Sequence, residues 1–457
     1  MSKQPHVLVI PFQGQSHVAP LLKLATKIAE HGIKVTFVTT EINGAKMMAS
    51  MQEKSEGWSM IDFVSIPDGL AEEDDRKHFI KTRETTMRVM PGNLKDLIEK
   101  INQSSDDEQI TCVICDVNAP WGLEVVQQMG IPRAAFVTYG PAILALQFHI
   151  TKLIKDGVID NNGAAMNDGL ISISEGTLPW KSNEFPWSFR NNAELQKIFF
   201  ESALAVVEFV KISNWVLSNT VYELDSLSCD LVPNILPIGP LLAINNSRHL
   251  AGSFRPEDST CLSWLDKQPI GSVIYVALGT APVLNQQQFD ELAAGLESLG
   301  KPFLWVVRSD LIWGSVAKFP DGFEQKIAGR GKIVEWAPQE KVLVHPSVAC
   351  FVSHCGWNST LEGLSMGVPF LCWPFYIDQH QNRNYICEGW KIGLELTRNG
   401  NGIVTRHEIQ TKITKLLNDE GFTGNALKLK EMVTRSLAEG GSSFENFERF
   451  IVELKSI

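Results

Sequence analysis

Continuous apolar runs alternate with amphipathic stretches along the chain, and this alternation predicts a parallel α/β fold. Residues 7–10 are apolar at every position, as in a strand that is buried on both faces. Apolar residues then recur at three- and four-residue steps from Val18 to Ala29, which predicts a helix that ends at Gly32. The first half of the chain predicts further strands at residues 34–39, 60–65, 110–117 and 134–137.

The same rhythm restarts in the second half of the chain. Residues 272–280 predict a strand, a helical apolar stripe runs from Phe289 to Leu299, and residues 303–307 predict the next strand. We therefore expect two doubly wound, Rossmann-like domains, joined by a polar segment without periodicity and followed by a final helix whose apolar stripe must be buried. The predicted bounds are 1–240 for the first domain, 241–256 for the linker, 257–442 for the second domain and 443–457 for the final helix.

The composition is that of a globular chain and counts against two classes of partner. Of the 457 residues 44% are hydrophobic, and a net charge of −11 gives no broad attraction to nucleic acid or to an anionic membrane. No apolar stretch approaches the ~18 residues of a membrane span, and the first residues lack the apolar core of a signal peptide. The eight cysteines lie mostly in apolar runs, as buried reduced thiols do, so we expect a cytoplasmic protein.

Polar residues with catalytic or binding chemistry follow several predicted strands. His17, Asp116, Thr280 and His354 each lie at a strand end, and doubly wound sheets bind their ligands beyond these ends. The first strand–helix turn, at residues 14–16, lacks the glycine spacing of a dinucleotide site. This difference counts against a nucleotide-dependent oxidoreductase, the alternative enzyme class with the same sheets.

Residues 336–379 hold the densest set of such positions, in the sequence WAPQEKVLVHPSVACFVSHCGWNSTLEGLSMGVPFLCWPFYIDQ. The string HCGWNS lies where a strand gives way to a helix, whose N–H groups and dipole favour an anion. His354, Asn358 and Ser359 add donors without charge there. Trp336 suits base stacking, and the closing Asp-Gln pair suits a polyhydroxylated ligand. Each of these residues alone has an ordinary alternative as a helix cap or a half-buried aromatic.

As a whole, this segment resembles the 44-residue signature of the plant family 1 UDP-sugar-dependent glycosyltransferases. It has the opening WAPQ, the central HCGWNS, the later glutamate and the closing DQ without gaps, and the likeness extends along nearly the whole chain. The resemblance implies a GT-B fold, in which two Rossmann-like domains face each other and a C-terminal helix crosses back to the N-terminal domain. It also implies a monomer that uses UDP-glucose as co-substrate, with no permanently bound cofactor and no metal.

The same resemblance implies a role for each residue of the donor site. A final glutamine in this family goes with glucose, histidine there goes with galactose, and tryptophan at position 357 argues against glucuronic acid. The implied donor-binding residues are Trp336 and Ala337 for uracil; Gln339 and Glu362 for ribose; Thr280, His354, Asn358 and Ser359 for the diphosphate; Trp357, Asp378 and Gln379 for the sugar; and Gly356, for which no particular contact is implied.

The resemblance also makes His17 the catalytic base and Asp116 its partner. Residues 16–20, Ser-His-Val-Ala-Pro, align with the family's Gly-His-Val-x-Pro turn. An imidazole suits removal of a hydroxyl proton, and a carboxylate on its other nitrogen supports the imidazolium. Attack opposite the UDP leaving group would then give a β-glucoside from an α-linked donor. Ser16 replaces the family's glycine, and Gln13-Gly14 replaces its frequent Pro-Ala, so the turn geometry and the acceptor preference stay open.

The acceptor is the least determined part of the sequence-based prediction. An aromatic pocket with methionine suits a flat phenol such as a flavonoid, stilbene or phenylpropanoid; terpenoid alcohols and C-glycosylation are alternatives. A non-catalytic UDP-sugar-binding protein is an alternative of another class, but it would tolerate loss of His17 or Asp116, and both are present. The candidate acceptor residues, each of which could instead be ordinary core, are Phe12, Gln13, Met87, Met90, Trp121, Phe148, Phe199 and Phe200.

Overall fold

The computed structural model describes residues 4–50, 60–71, 73–76, 78–104, 109–189, 192–243, 255–312 and 316–457. The chain divides into two compact units. Unit 1 comprises Met1–Phe254 and Ser436–Ile457, and unit 2 comprises Arg255–Arg435. The first boundary falls within the predicted linker, of which residues 244–254 lie outside the described part. The second boundary precedes the predicted domain end at residue 442.

Unit 1 is built on a parallel sheet of seven described strands, in the order β3-β2-β1-β4-β5-β8-β9. Apolar runs without polar interruption form its central strands, because helices cover both faces of a doubly wound sheet. A two-stranded antiparallel ribbon, β6-β7, is separate from it. The strands are β1 (His6–Ile10), β2 (Lys34–Thr40), β3 (Ile61–Ile66), β4 (Cys112–Asp116), β5 (Arg133–Val137), β6 (Leu170–Ile171), β7 (Trp180–Lys181), β8 (Trp215–Ser218) and β9 (Ile235–Pro237).

The helices of unit 1 include the last helix of the chain. This helix, α16 (Ser442–Lys455), buries Phe447, Phe450, Ile451 and Leu454 in the same core as β1 and the first helix. Phe450 packs edge-on against Trp215 of β8, with ring centroids 5.6 Å apart. The apolar stripe of the final helix is therefore buried within unit 1. The helices are α1 (Gln15–Glu30), α2 (Glu41–Ser50), α3 (Phe79–Ser104), α4 (Pro120–Gln128), α5 (Pro141–Lys155), α6 (Ala193–Lys211), α7 (Ser226–Asp230) and α16 (Ser442–Lys455).

Unit 2 repeats the architecture with a parallel sheet of six described strands, in the order β12-β11-β10-β13-β14-β15. The sequence Asn285 to Ser298 shows why its long helices form: the Asn285 side chain caps the first turn, and Phe289, Leu292 and Leu296 share the buried face. No described helix has the length and apolar content of a membrane span. The strands are β10 (Val273–Ala277), β11 (Phe303–Val306), β12 (Gly331–Val334), β13 (Val348–Ser353), β14 (Phe370–Cys372) and β15 (Gly393–Glu395). The helices are α8 (Thr260–Leu265), α9 (Gln286–Ser298), α10 (Phe323–Lys326), α11 (Gln339–Leu343), α12 (Trp357–Met366), α13 (Gln379–Asn384), α14 (Arg406–Asn418) and α15 (Glu420–Leu437).

Candidate functional site

His17 and Asp116 form a hydrogen-bonded pair at adjacent strand ends of unit 1. His17 lies in the first turn of α1, just after β1, and Asp116 is the last residue of β4, which pairs with β1. His17 Nδ1 lies 2.7 Å from Asp116 Oδ2, and Asp116 is fully buried. The other carboxylate oxygen accepts hydrogen bonds from the backbone N–H and the side chain of Asn118, at 2.8 and 3.1 Å. An ionised carboxylate only accepts, so Nδ1 carries the proton and Nε2 is the basic nitrogen.

Thr138 is a further neighbour of this histidine that sequence reasoning missed. Its hydroxyl oxygen lies 3.1 Å from His17 Nδ1. It follows β5, the next strand beside β4, so the strand-end rule that found Asp116 could also have found it. Phe12 places its ring edge-on to the imidazole, with centroids 5.0 Å apart and planes at 67°.

Gln13 has a structural role in the turn before α1. Its side-chain nitrogen donates to the Pro11 carbonyl at 2.9 Å, and its side-chain oxygen accepts from the Thr40 backbone N–H at 3.1 Å. Asn43 donates to the Gln13 carbonyl at 2.9 Å. The Gln13 side chain therefore ties the turn to the end of β2, and its contact with an acceptor stays a prediction. Ser16, which replaces the family's glycine, is exposed.

The remaining acceptor candidates divide into core and surface positions. Met90 and Phe200 are core residues, only 1% and 2% exposed, and their contact with an acceptor stays a prediction. Phe200 is held edge-on to Trp187, with centroids 5.3 Å apart. The other candidates differ in exposure: Trp121 is buried, Phe148 and Phe199 are half-buried, and Met87 is 38% exposed.

In unit 2, Gln339 contacts Glu362, the other residue predicted to hold the ribose, and also Ser359, which is predicted to bind the diphosphate. The Gln339 side-chain nitrogen donates to Glu362 Oε2 at 2.6 Å and to Ser359 Oγ at 2.9 Å. Its oxygen accepts from the hydroxyl of Tyr275 at 3.2 Å. Burial, followed by the charge of Glu362, raises the pKa of Tyr275 well above its usual value, so this hydroxyl stays a donor. The amide of Gln339 is thus fixed at both ends and orients the Glu362 carboxylate.

His354 lies at the strand–helix junction between β13 and α12. The N-cap of α12 is Gly356, without a side-chain cap, so neither Asn358 nor Ser359 serves as one. A Cβ atom on Gly356 would lie 2.4 Å from His354 Nε2, and one on Gly279 would lie 2.5 Å from the same ring. Because neither glycine has a Cβ atom, the imidazole can pack directly against the backbone at both positions.

The His354 imidazole is neutral at physiological pH. Burial, followed by the positive charge of Arg308, lowers the pKa of His354 to about 4. Its Nδ1 atom is buried and has no hydrogen-bond partner among the residues that the structure describes. The junction therefore offers a neutral imidazole and the N-terminus of α12 to an anion, rather than a protonated histidine.

Asp378 and Gln379 lie at the start of α13, after a tight turn. Gln379 Oε1 accepts from the backbone N–H groups of Phe375 and Tyr376 at 2.9 and 3.3 Å. Since N–H groups donate only to the oxygen, the amide nitrogen of Gln379 is the end left for a ligand. Asn382 donates to Asp378 Oδ2 at 2.9 Å and to the Cys355 carbonyl at 2.8 Å, which joins this turn to the HCGWNS turn.

Trp336 and Ala337 follow β12, next to a cavity of about 240 Å³ at the ends of β11 and β12. Trp336 is half-buried, and its carbonyl accepts from the Asp258 backbone N–H at 2.9 Å. Ala337 is 5% exposed. Trp357 is buried, with 4% of the residue exposed, and its contact with the sugar stays a prediction.

Comparison with known proteins identifies the family. The family model described as UDP-glucoronosyl and UDP-glucosyl transferase matches residues 5–435. UDP-glycosyltransferase 83A1 of Arabidopsis thaliana is 40% identical over 99% of this chain and 97% of its own length. The 7-deoxyloganetin glucosyltransferase of Catharanthus roseus is 32% identical over 100% of this chain and 97% of its own. A solved UDP-glucosyltransferase from Polygonum tinctorium, capable of glucosylating indoxyl, has 27% identity and a TM-score of 0.82 over 100% of both chains. The chain therefore belongs to the UDP-glucoronosyl and UDP-glucosyl transferase family and is a UDP-glycosyltransferase with the GT-B fold.

Proposed function

We propose that the enzyme moves glucose from UDP-glucose to a hydroxyl of a small hydrophobic acceptor and inverts the anomeric configuration. The 2.7 Å hydrogen bond between His17 and Asp116 carries this proposal, because it leaves Nε2 as the basic nitrogen. Nε2 takes the hydroxyl proton while the acceptor oxygen attacks the anomeric carbon from the side opposite UDP. The bond from that carbon to the diphosphate oxygen breaks, UDP leaves, and the product is a β-glucoside. Asp116 stabilises the imidazolium that forms.

The donor is bound, in this proposal, by the residues of unit 2. Trp336 stacks on uracil, Glu362 holds the ribose, and the N-terminus of α12 with His354 receives the diphosphate. Gln379 contributes its amide nitrogen as a donor to a sugar hydroxyl, since its oxygen is used by the turn. A glutamine at this position and relatives named as glucosyltransferases support glucose as the sugar.

The test of the donor assignment is Gln379→Ala. An unpaired polar group costs about 1–3 kcal/mol, so glucose transfer should weaken by roughly ten- to a hundred-fold. The unmodified enzyme should prefer UDP-glucose to UDP-galactose in a competition assay. Equal or better use of UDP-galactose would show that the sugar assignment is wrong.

The acceptor is proposed to be a flat phenol. The edge of Phe12 beside His17 and the exposed Met87 supply apolar surface, and Phe199 stacks on Phe79 with centroids 4.9 Å apart. One relative is named for 7-deoxyloganetin and one solved neighbour for indoxyl, so members of the family differ in acceptor. Mass spectrometry after incubation with UDP-glucose and a panel of phenols, terpenoid alcohols and C-glycoside precursors decides among them. UDP binding without any glucosylated product would instead favour a binding protein.

We also propose that the enzyme works in a reducing compartment such as the cytosol. All eight cysteines are free thiols, and seven of them are buried. Disulfides form and persist mainly in oxidising compartments, so a chain of this size with eight unpaired cysteines suits a reducing one. Fractionation of the native tissue with an antibody to the protein tests this, and recovery with secreted proteins would contradict it.

A further inference from the structure

A charged cluster in unit 2 connects two parts of the donor site that lie far apart in sequence. Asp310 is its centre and accepts a hydrogen bond from Arg308 Nη1 at 2.7 Å. Both Asp310 oxygens also lie 3.3 Å from Arg255 Nη2. The Arg308 side chain is 3% exposed, against 30% for Arg255 and 27% for Asp310. The three residues, here called the Asp310 cluster, therefore run from the interior to the surface.

At its buried end the cluster holds the loop that follows β10. Arg308 Nη1 donates to the Thr280 carbonyl at 2.7 Å, and Nη2 donates to the Pro282 carbonyl. A planar guanidinium with two fixed carbonyl partners and one carboxylate allows the loop little freedom. The same loop carries Gly279, which packs against His354, and the charge of Arg308 helps to keep His354 neutral. The buried end therefore sets the geometry of the proposed diphosphate site.

At its exposed end the cluster lies over Trp336. Arg255 Cζ is 5.7 Å from the centroid of the indole ring, within the range of a cation–π contact. The Asp310 carboxylate, with Glu335 at 3.7 Å, holds the guanidinium in that place. In the proposed donor site, the planar base would stack on the face of the ring opposite this cation.

We propose that the Asp310 cluster positions the donor site by fixing Trp336 and the Thr280 loop relative to each other. A single nucleotide can then stack its base on Trp336 while its diphosphate lies at the loop. This inference rests on the donor assignment made above. Arg255, Asp310 and Arg308 act through Trp336 and the loop, and none of them needs to touch the nucleotide. Loss of the Asp310 carboxylate should therefore weaken binding of both the base and the diphosphate, rather than a single contact.

Asp310→Asn tests the proposal because it keeps the shape of the side chain and removes its charge. We expect calorimetry to show about tenfold weaker binding of UDP, equivalent to about 1.4 kcal/mol. The KM for UDP-glucose should rise by a similar factor, while kcat at saturating donor changes by less than about twofold, since no transition-state contact is lost. Arg255→Gln, at the exposed end, should weaken the binding of uridine and the binding of UDP by equal factors. Asp310→Asn should weaken the binding of UDP more than that of uridine, because it also frees the diphosphate loop.

Glu291→Gln is the matched control. Glu291 is paired with Arg406 at 2.6 Å, in the same unit, and its side chain is 20% exposed, similar to Asp310. Removing this ion pair should lower the melting temperature without changing UDP affinity. If Asp310→Asn and Arg255→Gln both bind UDP as the wild type does, the cluster only stabilises the fold and the inference is wrong. If the wild type itself does not bind UDP, the donor assignment is wrong. This result differs from normal UDP binding by the variants, which would contradict only the role of the Asp310 cluster. If Asp310→Asn does not fold, Arg255→Gln decides alone.

Discussion

Gly356→Ala perturbs the proposed donor site through one added atom. Gly356 has φ −63° and ψ 147°, a conformation that alanine adopts without strain. The added Cβ would lie 2.4 Å from His354 Nε2, whereas ordinary contact begins at 3.4 Å, so the imidazole must move by about 1 Å. The variant therefore tests the position of His354 without altering the backbone or the charge.

The expected loss follows from the size of that shift. A hydrogen bond stretched by about 1 Å is lost, and an unsatisfied buried polar group costs about 1–3 kcal/mol. UDP should therefore bind roughly ten- to a hundred-fold more weakly. The melting temperature should fall as well, because the ring that must move also packs against Gly279.

Titration calorimetry with UDP measures this loss directly. Gly424→Ala is the control: Gly424 lies in α15, also in unit 2, and a Cβ there meets nothing within 4 Å. This control should bind UDP like the wild type and be slightly more stable, since alanine favours helices. Wild-type UDP affinity in Gly356→Ala would refute the reasoning that the diphosphate site depends on the position of His354.

Three further predictions concern catalysis and stability. Asp116→Asn should lower kcat by about 10²–10⁴-fold while the melting temperature changes little; unchanged steady-state turnover would contradict its role. Phe450→Ala should lower the free energy of unfolding by about 3–5 kcal/mol in urea titrations, because its ring is wholly buried, whereas Val452→Ala at a 66% exposed position should be near neutral. The pKa of His354 is about 4 when folded, while an unfolded histidine titrates near 6.5, so its contribution to stability is present above about pH 6.5 and is lost as the pH falls toward 4. His354→Gln should therefore lose less stability than the wild type between pH 7 and pH 5, and equal losses would contradict this.

The order of strands and helices could be predicted because burial on both faces leaves an unbroken apolar run in the sequence. The apolar pattern placed His17 and Asp116 at strand ends, where doubly wound sheets bind their ligands, and the resemblance to the plant glycosyltransferases paired them. Tyr275 could not, because an aromatic residue inside an apolar strand looks like core until its partner Gln339 is placed beside it. The Asp310 cluster leaves no periodicity in the sequence, since its arginines approach from two different segments.

The acceptor residues show a second limit of sequence reasoning. Large apolar residues on helices serve both cores and pockets, and composition does not separate the two uses. Met90 and Phe200 belong to the core, while Met87, only three residues before Met90, is exposed on the same helix. The direction of each side chain depends on which helix face meets the sheet, and only the fold determines that.

Single-turnover glucosylation by His17→Ala tests the central claim most directly. The proposed donor residues belong to unit 2, so UDP affinity should match the wild type. Transfer to an aliphatic alcohol should slow by about 10²–10⁴-fold, because that hydroxyl depends on a base for its proton. Transfer to a strongly acidic phenol, already partly ionised, should slow much less. A rate with the alcohol close to that of the wild type would contradict the assignment of His17 as the catalytic base.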